Sequence, residues 1–252
     1  MTLHVELLGK GPDLALLHGW GLHSGIWDEA LPELAKRFRV HAVDLPGHGR
    51  SAAAPVASLD DAAVRIAAQL PTETVVCGWS LGGLVAQRLA RLHPGKVRAL
   101  ILVSATPCFI ARPGWPHAMK AATLDGFAEG LHHDREATLA NFVRLSAMHG
   151  ARGREAIRAF TKRLFERGEP TAAALAGTLD WLREADLRID VPDLPRTLVV
   201  HGARDALAPV EAGRWLAARI PGAHALEFAD AAHIPFFTHR ESFVRALESF
   251  VG

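Results

Sequence analysis

The segment Gly78-Trp79-Ser80-Leu81-Gly82-Gly83 lies between an apolar run that ends at Cys77 and a helical pattern from Leu84 to Leu92. This order predicts a buried strand that turns sharply into a helix. The turn has the G-x-S-x-G pattern, in which flanking glycines let the chain fold back around a strained serine. Ser80 would then be exposed at a helix N-terminus, where backbone N–H groups favour negative charge. The pattern alone also fits a serine that caps a helix, so a nucleophilic Ser80 needs partners elsewhere.

Two later loops contain the candidate partners of Ser80. A serine hydroxyl needs an adjacent base to act as a nucleophile, and the expected chain order is serine, acid, histidine. One predicted strand leads into a loop with Asp205, and the next leads into a loop with His233. Adjacent strand ends would bring both side chains together above the sheet. The sequence therefore predicts Ser80 as nucleophile, His233 as general base and Asp205 as the acid that orients the imidazole.

Other histidines and acids fit this arrangement less well. His201 lies at a strand end, but its choice would leave no histidine after the acid in the expected order. His239 comes six residues after His233 and is expected in the final helix. Asp230 is close to His233 in sequence, but proximity within one loop does not give the required geometry.

The first predicted strand ends in the turn His18-Gly19-Trp20-Gly21. A glycine-rich turn here can aim a backbone N–H at a substrate carbonyl oxygen. Together with the N–H of Leu81, this donor would form an oxyanion hole. We expect Trp20 to supply the N–H and its ring to wall the pocket, with a merely packed tryptophan as the alternative. The turn from Asp44 to Ser51 is rich in glycine and is expected to be structural.

Short apolar runs alternate with longer amphipathic stretches along the 252 residues. This alternation predicts an α/β fold with a mostly parallel, twisted sheet and helices on both faces. Between residues 108 and 190 we find helical patterns without a strand. We therefore expect a core domain of residues 1–107 and 191–252, with residues 108–190 as a helical lid over the carboxyl ends of the strands. The predicted strands are Leu14–Leu17, Val40–Val43, Thr74–Cys77, Leu100–Val103, Thr197–Val200 and His224–Phe228.

Composition narrows the classes of partner and compartment. The net charge of +1 gives no reason to expect nucleic acid as a partner. No run approaches 18 apolar residues, and no signal peptide is visible, so a cytoplasmic protein that binds no membrane is expected. Cys77 and Cys108 lack the spacing of a metal or disulfide framework. We expect a monomer with no metal and no cofactor.

Taken together, these motifs resemble the α/β-hydrolase superfamily across nearly the whole chain. More narrowly, Trp20 in its turn, the segment from Gly78 to Gly83, the stretch 141–148 and Ala231-Ala232-His233-Ile234-Pro235-Phe236 are similar to the pimeloyl-[acyl-carrier protein] methyl ester esterases of biotin biosynthesis. The resemblance implies a serine carboxylesterase that cleaves this methyl ester through an acyl-enzyme. It also implies a substrate site formed by Trp20, Ser80, Leu81, His233 and the segment Phe142-Val143-Arg144-Leu145-Ser146.

The resemblance further implies that arginines of the lid hold the acidic carrier protein. Arg154 and Arg158 match that pattern, whereas Ala137 and Asn141 stand where the family has further arginines. Independently, Arg154, Arg158 and Lys162 are spaced to share one face of a helix. Such a face over the mouth of the site suits an acidic partner, and a solvated basic face is the alternative.

Three other functions remain open from the sequence. A general short-chain carboxylesterase or a carbon–carbon bond hydrolase could use the same triad with a different pocket. A non-catalytic binding module is the alternative of a different class. Such modules usually lose a member of the triad, and this chain retains all three.

Overall fold

A seven-stranded sheet forms the centre of the protein, described here by a computed structural model of residues 2–252. Its order is β1-β3-β2-β4-β5-β6-β7, and of these seven described strands only β1 runs antiparallel to its neighbour. Strand β4 is buried along its whole length, because helices cover both faces of a parallel sheet. The strands are β1 (Val5–Leu8), β2 (Asp13–Leu17), β3 (Arg39–Val43), β4 (Thr74–Trp79), β5 (Val97–Val103), β6 (Thr197–Gly202) and β7 (His224–Phe228).

Residues 2–252 also form ten α-helices. Several begin where a side chain satisfies a free backbone N–H: Ser58 accepts from Asp61, and Asp134 accepts from Ala137. The helices are α1 (Leu31–Leu34), α2 (Leu59–Gln69), α3 (Leu81–Leu92), α4 (Ala121–His133), α5 (Arg135–Ala147), α6 (Gly153–Arg163), α7 (Ala172–Glu184), α8 (Val210–Arg219), α9 (Pro235–Thr238) and α10 (Arg240–Val251).

The six predicted strands and the mostly parallel sheet are confirmed. Strand β1 is not predicted, because it has four residues and its Leu7 is 62% exposed, so it lacks a continuous apolar signal. Helix α3 begins at Leu81 rather than Leu84, directly after Ser80. The amphipathic stretch from Leu31 to Arg37 predicts a helix of seven residues, whereas α1 ends at Leu34.

Helices α4 to α7 follow one another between β5 and β6, and residues 108–190 contribute no strand to the described sheet. Two of these helices, α5 and α7, form hydrogen bonds with loops that follow the strands of the sheet. The indole N–H of Trp20 donates to Leu175 O in α7 (3.0 Å), and the N–H of His233 donates to Ser146 O in α5 (3.0 Å). The helices therefore lie against the loops that carry the candidate site residues. The division into a core and a lid with boundaries at 108 and 190 stays a prediction.

Helices long and apolar enough to cross a lipid bilayer are absent from residues 2–252.

Candidate active site

Ser80 lies in the tight turn between β4 and α3. Its backbone has φ 54° and ψ −118°, a conformation that residues other than glycine rarely adopt. A Cβ at position 78 would lie 2.3 Å from the carbonyl oxygen of Gly82, and a Cβ at position 82 would lie 2.5 Å from that of Leu17. Both positions therefore require glycine. The N–H of Ser80 donates to Val103 O at 3.0 Å, which joins the turn to β5.

His233 and Asp205 form a buried hydrogen-bonded pair. His233 Nδ1 lies 2.7 Å from Asp205 Oδ2, and both side chains are fully buried. The other carboxyl oxygen accepts the N–H groups of Leu207 and Ala208 at 2.9 Å each. Burial would raise the pKa of Asp205, but the charge and hydrogen bond of His233 outweigh it and hold this pKa below its usual value. Because an ionised carboxylate only accepts, the Nδ1–H of His233 donates to it.

The second imidazole nitrogen, His233 Nε2, is buried without a hydrogen-bond partner among residues 2–252. With the proton on Nδ1, Nε2 carries a lone pair and can accept a proton. The loop of His233 contacts the Ser80 turn through Trp79, whose ring centroid is 5.5 Å from that of His233. A direct Ser80–His233 hydrogen bond does not occur in the described structure, as is common before substrate binds. The loop that carries His233 and the turn that carries the strained Ser80 are therefore in contact.

Two backbone N–H groups beside Ser80 lack protein acceptors. Neither the N–H of Trp20 nor that of Leu81 donates to another group within residues 2–252. Leu81 is the first residue of α3, so its N–H has no acceptor inside the helix. These are the two donors that the sequence predicts for an oxyanion hole.

A small apolar cavity with about 10 Å³ of free volume adjoins Ser80. The ring of Trp20 packs edge-on against Phe142, with centroids 5.3 Å apart. Ser80 is the only hydroxyl-bearing residue among those that line the cavity, so the space suits a neutral, apolar group. Its lining consists of Trp20, Ser80, Phe109, Met119, Leu124, Phe127, Phe142, Leu179, Leu182 and Leu207.

Of the segment predicted to contact substrate, Phe142 lines this cavity, and the other four residues are not among its lining. Val143 is fully buried, and Leu145 is half-buried against the core. Arg144 is directed elsewhere, with its guanidinium donating to the side chain of Asn141 at 2.8 Å. The hydroxyl of Ser146 donates to the backbone of its own helix at 2.9 Å. In this state only the Phe142 side chain of the segment reaches the space beside Ser80.

The sequence does not single out several residues of the cavity wall. Met119, Leu124, Leu179, Leu182 and Leu207 come from distant segments, and each has the spacing of an ordinary core residue. A pattern along the chain therefore carries no signal for them. Phe109 and Phe127 contribute aromatic rings to the wall beside Phe142.

The rival residues have other partners. Asp230 pairs with His239 at 3.0 Å rather than with His233. His201 is buried, and its Nε2 donates to Ala208 O at 3.1 Å, 4.0 Å from Asp205 Oδ2. Burial lowers the pKa of His201, so it is a neutral neighbour of the acid.

The turn from Asp44 to Ser51 makes contacts that fit a structural role. The Asp44 carboxylate accepts the N–H groups of Ser24 at 2.7 Å and Arg50 at 2.9 Å. His18 Nε2 accepts the N–H of Leu45 at 2.9 Å. Burial, aided by His48, lowers the pKa of His18 to about 3, and burial lowers that of His48 to about 4. Both rings are therefore neutral at physiological pH.

Arg154 and Arg158 lie on α6 and line an open groove at the surface. Neither forms a salt bridge within residues 2–252, whereas the neighbouring Arg152 pairs with Glu155 at 2.6 Å. The charges of Arg154 and Arg158 are thus available to an external partner. In the described part of the chain, no three His, Cys, Asp or Glu side chains cluster in a way that could hold a metal ion.

The strained serine, the histidine–carboxylate pair and the parallel sheet together define the class of this protein. The family model for the alpha/beta hydrolase family matches residues 14–246. The fold superimposes on an esterase from Exiguobacterium antarcticum with a TM-score of 0.89 and 27% sequence identity, covering 99% of this chain and 95% of that one. The chain belongs to the alpha/beta hydrolase family.

Curated relatives narrow the resemblance further. A protein from Chromobacterium violaceum is 44% identical over 252 residues, covering 98% of this chain and 97% of its own length. A protein from Nitrosomonas europaea is 40% identical over 250 residues, covering 98% of this chain and 99% of its own length. Both are named pimeloyl-[acyl-carrier protein] methyl ester esterase.

Proposed function

We propose that this protein is a serine carboxylesterase that hydrolyses the methyl ester of pimeloyl-[acyl-carrier protein] in biotin biosynthesis. The observation that carries the chemistry is the buried His233–Asp205 pair, whose Nε2 has no partner, beside the strained Ser80. The names of the full-length relatives supply the substrate.

In the first half of the reaction, Ser80 Oγ attacks the ester carbonyl carbon while His233 Nε2 takes the hydroxyl proton. The N–H groups of Trp20 and Leu81 donate to the oxyanion that forms. When the tetrahedral intermediate collapses, His233 returns the proton to the methoxy oxygen and methanol leaves. The acyl chain is then bound to Ser80 as an ester. Asp205 stabilises the imidazolium throughout without taking its proton.

In the second half, water attacks the acyl-enzyme carbonyl and His233 Nε2 takes one of its protons. The second tetrahedral intermediate collapses with return of this proton to Ser80 Oγ, and the free carboxylic acid leaves. The net change is one ester and one water converted to one acid and methanol, so the reaction needs no redox partner.

The cavity beside Ser80 favours an ester over the acid it yields. A neutral methyl ester and an aliphatic chain lose little on leaving water for an apolar space. An ionised carboxylate loses much more, because no charged side chain lines the cavity to compensate it. We therefore infer that binding discriminates in favour of the ester and that the ionised product is released readily.

The carrier protein would dock on the exposed face of α6. Arg154 and Arg158 border the same groove and have no salt bridge in the described chain. An acidic partner would meet them without first breaking a native ion pair. In this proposal α4 to α7 form a lid, and the enzyme acts as a monomer in the cytoplasm.

A general short-chain carboxylesterase is the second candidate. The fold similarity to the Exiguobacterium antarcticum esterase favours it. The two functions share the chemistry at Ser80 and differ in whether the carrier protein contributes to binding.

The test is hydrolysis of pimeloyl-[acyl-carrier protein] methyl ester by the purified protein, compared with dimethyl pimelate. The free carboxylate formed on the carrier adds a negative charge and is detected by native gel electrophoresis and mass spectrometry. We expect a much higher kcat/KM for the carrier-bound ester and no product with Ser80→Ala. Equal or faster hydrolysis of the free ester would favour the general esterase instead.

A further inference from the structure

The peptide groups of His233 are held from two sides by buried partners. Its N–H donates to Ser146 O, at the end of α5, at 3.0 Å. Its carbonyl oxygen accepts the indole N–H of Trp79 at 2.7 Å. Within residues 2–252 the imidazole itself bonds only to Asp205, which leaves movement of the His233 backbone to be restrained by other groups. The position of His233 relative to Ser80 thus depends on these two backbone contacts.

Trp79 is built into the core in a way that fixes its indole. It is fully buried, and its ring lies 5.3 Å from Phe236 and 6.3 Å from Phe142 between centroids. The ring also lies close to Gly19, where an added Cβ would be 2.7 Å from the indole. The ring therefore has little freedom to leave its bond with the His233 carbonyl.

We propose that Trp79 is a positioning residue that sets the location of the catalytic base. It precedes Ser80 at the end of β4, so one strand end carries the nucleophile and, on the adjacent residue, the donor that holds the base. A shift of β4 moves both groups together and keeps their separation constant. This inference rests on the proposed roles of Ser80 and His233, but it does not depend on the identity of the acyl group or on the carrier protein.

The proposal predicts a separation of binding from chemistry. Trp79 is not among the residues that line the cavity, so loss of its N–H leaves the substrate contacts in place. A base displaced by about 1 Å lowers the rate of proton transfer by up to roughly 100-fold. The acylation rate should therefore fall while the dissociation constant of the substrate stays the same.

The experiment measures pre-steady-state acylation by p-nitrophenyl butyrate in Trp79→Phe, which keeps an aromatic ring and lacks the N–H. A second variant replaces Trp79 by 3-benzothienylalanine, in which sulfur takes the place of the N–H and the ring keeps its size. This isostere preserves the packing if the Phe variant unfolds. The matched control is Trp115→Phe, since Trp115 is also buried and its indole N–H donates to a backbone oxygen, that of Cys108, at 2.7 Å.

We expect acylation to fall roughly 10- to 100-fold in both Trp79 variants, with the dissociation constant within about twofold of wild type. Trp115→Phe should lose a comparable amount of thermal stability and keep its acylation rate. Wild-type acylation by the benzothienylalanine variant would overturn the inference, as would an equal fall in the control. Failure of the wild-type protein to acylate at all would instead refute the proposed roles of Ser80 and His233, on which the inference rests.

Discussion

Replacing Asp205 by asparagine should place the imidazole proton on the wrong nitrogen. The carboxyl oxygen Oδ1 accepts two backbone N–H groups, from Leu207 and Ala208, at 2.9 Å each. The amide oxygen of asparagine must take this place, because an NH2 group there would face two donors. The amide nitrogen then faces His233 Nδ1, which must accept rather than donate. The imidazole proton moves to Nε2, and that nitrogen can no longer take the proton of Ser80.

The magnitude follows from these contacts. A flipped amide would leave two buried N–H groups unsatisfied, at a cost of about 1–3 kcal/mol each. The flipped orientation, which would preserve the original imidazole tautomer, is therefore disfavoured. The wrong tautomer lowers kcat by about 10⁴-fold, or roughly 5 kcal/mol of transition-state stabilisation. Asp205 does not line the cavity, so KM should change little. Steady-state hydrolysis of p-nitrophenyl butyrate, with circular dichroism to establish folding, provides both values.

Asp44→Asn is the matched control, because Asp44 is also a buried carboxylate that accepts two backbone N–H groups. It has no contact with His233 among its hydrogen bonds, so we expect a lower Tm and a kcat within a few-fold of wild type. The reasoning would be refuted by a folded Asp205→Asn protein with kcat within tenfold of wild type. A loss of about 10⁴-fold in the control as well would also refute it.

Three further predictions follow from the structure. The pKa values of His18 and His48, about 3 and about 4, lie below the ordinary value, so the unfolded chain binds more protons as the pH falls below about 6.5. Between about pH 7.5 and about pH 5.5, these two histidines should together lower the free energy of unfolding, measured with denaturant, by about 3 kcal/mol. His48→Gln should remove about half of this contribution, and a free energy of unfolding that does not change with pH would contradict the prediction. Arg154→Glu with Arg158→Glu should raise KM for the carrier-bound ester about tenfold, less at high salt, and leave a free ester unchanged. Arg245→Glu on α10 is its control, and equal losses on both substrates would instead indicate a damaged helix. EDTA should leave activity intact, since no metal cluster occurs in residues 2–252; loss restored by zinc would contradict this.

The residues at the strand ends could be found from sequence because their signals are local. A continuous apolar run identifies a buried parallel strand, and the residues directly after it lie at the same edge of the sheet. This reasoning selects Ser80, Asp205 and His233 before any coordinates exist. The same reasoning does not detect strand β1, because Leu7 faces solvent on this edge strand and the strand is only four residues long.

The cavity and the hydrogen bond from Trp79 to the His233 carbonyl could not be found in the same way. Leu207 and Leu182 line the cavity because α7 and the loop after β6 converge in space, and no spacing along the chain encodes that convergence. The bond from Trp79 to the His233 carbonyl joins residues 154 positions apart. Its sequence signal, a tryptophan beside the nucleophile, equally fits an ordinary core residue.

The most direct test of the central claim is to trap the acyl-enzyme formed from the carrier-bound substrate. The methyl ester lies at the end of the acyl chain remote from the carrier, so attack by Ser80 must join the two proteins covalently through the pimeloyl group. Rapid acid quench of a reaction with pimeloyl-[acyl-carrier protein] methyl ester should therefore yield a species with the mass of the 27.2 kDa chain plus that of the carrier-bound ester, less one methanol. Peptide mass spectrometry should place the link on Ser80, and Ser80→Ala should form none. Steady hydrolysis of the ester with Ser80 unmodified at every quench time, or undiminished hydrolysis by Ser80→Ala, would contradict the account.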